Sequence, residues 1–182
     1  MADKFAVIDT ETNWNNEVMS IGIVIAEDGR FEAIDNKYII FEEAASVGGM
    51  YSYALYADGQ TPEIFEKKKA IEAIKTYLNE NGIRSIFSYN ASFDARCLPE
   101  LCGYDWHDIV RMAAYKQYNS SIPANAECCG TGRLKRGYTV QNILNMFGET
   151  DYMELHNALT DAQDELRIMS YLRHSISKYP LL

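Results

Sequence analysis

Residues 5–8 are apolar at every position, which suits a central strand covered on both faces rather than an edge strand with one wet face. The next apolar stretch, 18–26, ends at the turn signal Glu27-Asp28-Gly29, and 31–41 follows with Tyr38, Ile39, Ile40 and Phe41. These runs predict three strands with a hairpin between the second and third. Thr61-Pro62-Glu63 reads as a helix start, with Thr61 as cap, Pro62 at the first helical position and Glu63 at the positive helix end. Ile64, Ile71, Ile74 and Leu78 follow at helical spacing, and Asn81-Gly82 supplies the stop, predicting a helix of about five turns. Residues 83–89 then predict a fourth strand, 92–101 a short helix and 106–110 a fifth strand. Two amphipathic helices close the chain. The first covers 138–147 and stops at Gly148; the second covers 155–172, with Leu155, Leu159, Ala162, Leu166 and Met169 along one face.

Three strands followed by alternating helices and strands predict an α/β layer fold with a mixed sheet. A length of 182 residues with 47% apolar side chains suits one domain over 1–182, with a core of about 5–172. No internal repeat or low-complexity tract interrupts it. The least regular segment is 119–137, a loop long enough to suggest a functional role. The opening residues lack a signal-peptide pattern, and the longest apolar run, 21–26, is too short to span a bilayer. The expectation is a soluble, cytoplasmic protein with no membrane partner. Four cysteines, Cys97, Cys102, Cys128 and Cys129, show neither a disulfide framework nor the short paired spacing of a zinc site, and read as reduced thiols.

Lys and Arg number 17 against 26 Asp and Glu, a formal charge of −9, which argues against a broad basic surface for long duplex DNA. Any nucleic-acid contact must be local. The acids themselves are more informative. Asp9 and Glu11 come at the end of the first buried strand and, with a side-chain period of two, point to the same face. Buried there, they would repel each other and hold their protons unless a cation lay between them. Oxygen ligands of this kind suit Mg2+ or Mn2+. Asp94 falls in the first turn of the 92–101 helix, where Ser92 is placed to cap and where the helix dipole alone would favour an acid; the dipole does not account for Asn90. His156 and Asp161 are five residues apart, about 140° around a regular helix, so they share one site only if His156 sits on the entering loop or first turn. The small Ala158 and Ala162 beside Asp161 would let that helix approach a sheet closely.

Asp9-x-Glu11, Asn90-x-x-x-Asp94 after an apolar strand, and His156-x-x-x-x-Asp161 resemble, in order, the three exonuclease motifs of the DnaQ-like superfamily in its histidine-containing DEDDh branch. The resemblance spans roughly 5–172. It implies a ribonuclease H-like fold, a mixed five-stranded sheet flanked by helices on both faces. It also implies a 3′-to-5′ exonuclease that releases nucleoside 5′-monophosphates with two divalent metal ions, Mg2+ or Mn2+. In that scheme Asp9 would bridge both metals, Glu11 and Asp161 would complete one metal's shell, Asp94 would act mainly through bound water, and His156 would take the proton from the attacking water. Two divalent ions would move the formal charge to about −5.

The substrate expected from the resemblance is a single-stranded or frayed DNA or RNA 3′ end, held by stacking and end recognition. Thr12, Trp14, Tyr89 and Asn90 lie beside the motifs and are candidates to meet the terminal nucleotide. Trp14 and Tyr89 are candidates to stack, although most of the thirteen tyrosines must serve packing. Arg133, Lys135 and Arg136 form the better basic patch, ahead of the 138–147 helix, and are candidates for phosphate contacts. Lys67-Lys68-Lys69 reads as a solvated helix face. A homodimer or a polymerase acting in trans would be compatible with a chain of this size. The competing reading is an inactive DnaQ-like binding or adaptor module, which predicts loss of an acid or of the histidine; none is lost.

Overall fold

The computed structural model describes residues 3–182. All five expected strands form. They are β1 (Lys4–Thr12), β2 (Val18–Glu27), β3 (Ala33–Phe41), β5 (Ser85–Ser88) and β6 (Asp105–Asp108), joined by a sixth, β4 (Glu63–Phe65). The sheet is mixed, in the order β4-β3-β2-β1-β5-β6. β1, β2 and β3 are antiparallel neighbours, while β4 runs parallel to β3 and β1, β5 and β6 run parallel to one another.

β4 corrects one expectation. Residues 63–65 are paired with Ile39–Phe41 instead of opening a helix, and Lys37 forms an ion pair with Glu63. Pro62, whose fixed φ also suits the start of an edge strand, therefore precedes β4 and not a helix. Ile64 is exposed instead of lying on a buried helix face. The helix that follows, α2 (Lys67–Glu80), keeps the rest of the predicted periodicity, burying Ala70, Ile71, Ile74, Tyr77 and Leu78.

The remaining helices are α1 (Glu42–Val47), α3 (Ser92–Cys97), α4 (Val110–Ala113), α5 (Val140–Met146) and α6 (Ala158–Leu172). Two apolar cores sandwich the sheet. One is formed by Phe5, Val7, Met19 and Val24 with α4, α5 and α6; the other by Ala6, Ile8, Ile21 and Ile23 with α2 and α3. α6 begins three residues later than expected, so Leu155 is exposed and lies outside it. Ser92 is the first residue of α3 and makes no capping bond there, because Ala91 occupies the cap. Segment 119–137 carries only isolated bridges, such as Tyr115 to Arg133 and Cys128 to Leu134. No helix among the described residues is long and apolar enough to cross a membrane.

Candidate active site

Phe5 and Val7 face the core beneath α6, and the same two-residue period carries Asp9 and Glu11 onto the end of that face. Gly22 stands opposite Asp9 in the β1–β2 register. A Cβ at Gly22 would lie 2.1 Å from the Ala158 carbonyl oxygen, so the first turn of α6 rests directly on β2. Ala158 and Ala162 are fully buried in this contact, as their size predicts.

Asn157 fixes where α6 starts. Its Oδ1 accepts from the Leu159 and Thr160 amides, and its side-chain amide donates to the Ala54 carbonyl at 2.8 Å and the Tyr38 hydroxyl at 3.1 Å. His156, just before the cap, has φ 57° and sits on the entering loop, while Asp161 lies in the first turn. This left-handed kink resolves the angular problem posed by their spacing. A ligand atom from each of Glu11, His156 and Asp161 lies within 4.8 Å of the other two. Among the described residues this is the one such group, and it contains no cysteine.

Asp94 reaches the same end of the sheet from α3. It accepts from the Thr10 hydroxyl at 2.6 Å and from the Ser88 hydroxyl, so both of its oxygens are engaged. Those hydroxyls partly offset burial, which still pushes Asp94 up to about 6. The other acids have no such relief. Burial, then repulsion from Asp94, Asp161 and Glu154, holds Asp9 well above the usual carboxylate range. Burial and the nearby Asp9 push Glu11 to about 9, and burial with Glu154 and Glu11 does the same to Asp161. Asp9 Oδ2 and Asp161 Oδ1 are buried without a hydrogen-bond partner among the described residues. Orphaned acceptor oxygens on mutually repelling acids are the donor set that a hard divalent cation satisfies.

Two further acids were not anticipated. Glu165 is fully buried and accepts the Tyr89 amide at 3.0 Å; burial and repulsion from Asp9 and Asp94 keep it protonated far above the usual range. It is four residues after Asp161, so helical spacing alone places both on one face. Glu154 is half-buried, and its repulsion raises Asp9, Glu11 and Asp161; its place in an irregular segment leaves no periodic signal.

The substrate candidates separate into two groups. Tyr89, Asn90 and Arg133 line, with Asp9, Glu154 and Glu165, a cavity of about 420 Å³. Arg133 lies over the Tyr138 ring at 4.6 Å, and the Tyr89 hydroxyl donates to the Tyr138 carbonyl. Lys135 and Arg136 are absent from that cavity wall: both are exposed, and Arg136 pairs with Glu127 at 3.4 Å. The basic patch is therefore split, and only Arg133 joins the acids. Thr12 is half-buried at the end of β1, and Trp14, 67% exposed, stands on the loop that follows.

No family model and no curated protein matches the sequence. Solved structures do match in fold. The nuclease domain of 3′hExo, a DEDDh family member bound to rAMP, superimposes with a TM-score of 0.69 at 11% identity, over 100% of this chain and 96% of that one. The fold is that of a DEDDh 3′ exonuclease. E. coli Exonuclease I in complex with a 5cy-dT13 oligonucleotide gives 0.63 at 14% identity, over 95% of this chain and 40% of that one. A 3′-exonuclease described for 3′-end specific recognition of a histone mRNA stem-loop gives 0.67 at 10% identity, over 100% and 71%. The mixed sheet and its flanking helices are thus a fold shared with these exonuclease structures, and β4 is an edge strand beyond the expected five.

Proposed function

We propose that this protein is a divalent-metal-dependent 3′-to-5′ exonuclease that hydrolyses the terminal phosphodiester bond of a single-stranded or frayed DNA or RNA end, releasing nucleoside 5′-monophosphates. The observation that carries the reading is the convergence of β1, α3 and the start of α6: Glu11, His156 and Asp161 within ligand distance of one another, with Asp9 and Asp94 alongside. Asp9, Glu11 and Asp161 would hold two Mg2+ or Mn2+ ions, and Asp94, its oxygens already engaged by Thr10 and Ser88, acts through water. Bound there, the ions would supply charge neutralisation at the attacked phosphate and at the leaving oxygen.

The chain's own groups do the rest. His156 takes a proton from the attacking water, a task suited to an imidazole near neutral pH. Arg133, packed on Tyr138 beside Asp9, contacts a phosphate oxygen, and its planar fork suits that role better than a lysine would. Tyr89 and Asn90 line the same cavity and meet the terminal nucleotide. Thr12 meets it through its place at the end of β1, and the exposed Trp14 indole offers a stacking surface for a base. Lys135 and Arg136 act, if the strand is long enough to reach them, as outer phosphate contacts.

The test uses end-labelled single-stranded DNA and RNA oligonucleotides with Mg2+ or Mn2+. Stepwise shortening from the 3′ end, abolished by chelator and by Asp9→Ala, is the expected result. Intact substrate in every divalent metal would overturn the reading and leave a nucleic-acid-binding module in its place.

A further inference from the structure

The two other histidines are tied by ring hydrogen bonds: His107 Nδ1 to the Tyr179 carbonyl at 2.9 Å, and His174 Nε2 to the Tyr118 carbonyl at 2.7 Å. Among the described residues no hydrogen bond ties the His156 ring. What touches it instead is an aromatic face. Tyr51 stacks on His156 with ring centroids 3.9 Å apart and planes 18° from parallel.

The segment that presents Tyr51 is anchored independently of that stack. A Cβ at Gly49 would lie 2.5 Å from the Thr12 carbonyl oxygen and 2.9 Å from the Asn13 Cα, so the backbone before Tyr51 rests against the end of β1. Ser52 Oγ accepts the Gly49 amide at 2.6 Å. The Ala54 carbonyl accepts from Asn157, and the Leu55 carbonyl accepts from Tyr38 at 2.8 Å. Tyr51 is therefore fixed to both the strand that carries Glu11 and the cap that precedes Asp161. The tyrosine thus rides on a backbone segment held on both sides, and the histidine stacked on it sits on a left-handed loop residue just before the α6 cap.

We propose that Tyr51 is a positioning residue: its ring face sets the orientation of the His156 imidazole toward Glu11 and Asp161. This rests on the nuclease reading, because the orientation matters only if His156 moves a proton. The stack uses the ring and not the hydroxyl. Tyr51→Phe therefore keeps the function, whereas Tyr51→Leu keeps an apolar side chain but removes the aromatic face.

Carbon–proton spectra of the histidine rings in Mg2+ test the stack, with three histidines to assign and His156→Gln to identify the one of interest. His107, stacked on Phe87 at 4.6 Å, is an internal control for an intact fold. Tyr51→Leu should move the His156 ring resonances downfield, leave His107 in place and lower kcat by up to about 10²-fold with KM unchanged, while Tyr51→Phe restores both. Unmoved His156 resonances in Tyr51→Leu, or moved resonances with kcat retained, would overturn the proposal. Failure of the nuclease reading looks different: the stacking signature is present in a parent protein that degrades no oligonucleotide in any divalent metal, and the proposed role then falls with it.

Discussion

Raising the pH of the metal-free protein should destabilise it, the reverse of the common behaviour of carboxylates held by cations. Glu11 and Asp161 are both held near 9 by burial and by the acids around them, against about 4 in an unfolded chain. Between those limits the folded state binds more protons than the unfolded state, so stability falls as pH rises. Each group costs about 1.4 kcal/mol per pH unit, so the pair costs roughly 5 kcal/mol between about pH 5.5 and 7.5. If ionisation of one lets the other keep its proton, half of that remains. For a domain of this size the larger figure corresponds to a fall of roughly 10–20 °C in Tm. Mn2+ at about 100 times its Kd should return about 2.7 kcal/mol at the higher pH and less at the lower, where protons compete for the same oxygens. Calorimetric melts at both pH values, with chelator and with Mn2+, measure this directly. Glu11→Gln removes one of the titrating acids, and its metal-free Tm should fall less steeply with pH than the parent's. A metal-free Tm that holds or rises over this window, together with a Glu11→Gln slope equal to the parent's, would refute the argument that these acids are buried against one another without compensation.

His156→Ala should slow turnover by about 10²–10⁴-fold, and calorimetric Mn2+ titration should show metal affinity largely retained, as a proton acceptor requires and a ligand does not. Arg133→Ala should raise KM for a short oligonucleotide more than it lowers kcat in a steady-state assay, whereas Arg136→Ala, which removes a side chain paired with Glu127 outside the cavity, should leave both near parental values on a strand too short to reach it. Trp14→Ala should weaken oligonucleotide binding by about 1–3 kcal/mol, read by fluorescence anisotropy at fixed salt, with a smaller effect on the saturated rate. Gly22→Ala forces its Cβ into the Ala158 backbone and should cost about 1–3 kcal/mol or more by urea denaturation, with loss of activity as α6 lifts from β2.

The parts of this molecule that were legible in its sequence are those written in side-chain periodicity. An unbroken apolar run marked β1, alternation put Asp9 and Glu11 on one face, and helical spacing held for α2 from Ala70 onward. Where periodicity was overridden, long-range pairing decided. Thr61-Pro62-Glu63 has the local chemistry of a helix start, yet 63–65 gain more from pairing with the exposed edge of β3, and no local signal reports that edge. The basic run Arg133 to Arg136 likewise reads as one patch, although the irregular loop turns only Arg133 into the cavity.

The features that assemble the site are of a third kind, contacts of backbone on backbone. Gly22 reads as an interruption in an apolar strand, and Gly49 as an ordinary loop glycine. Their significance lies in what a side chain would meet: the start of α6 in one case and the end of β1 in the other. The small residues Ala158 and Ala162 hinted at a close approach from the helix side, but its counterpart on the sheet could be named only once the register of β1 and β2 was known. The site thus depends on two kinds of information of unequal visibility. Acids and histidine supply the chemistry and announce themselves by type and order. The distances between them are set by residues chosen for having almost no side chain, and those carry no chemical signature until the elements they separate are in place.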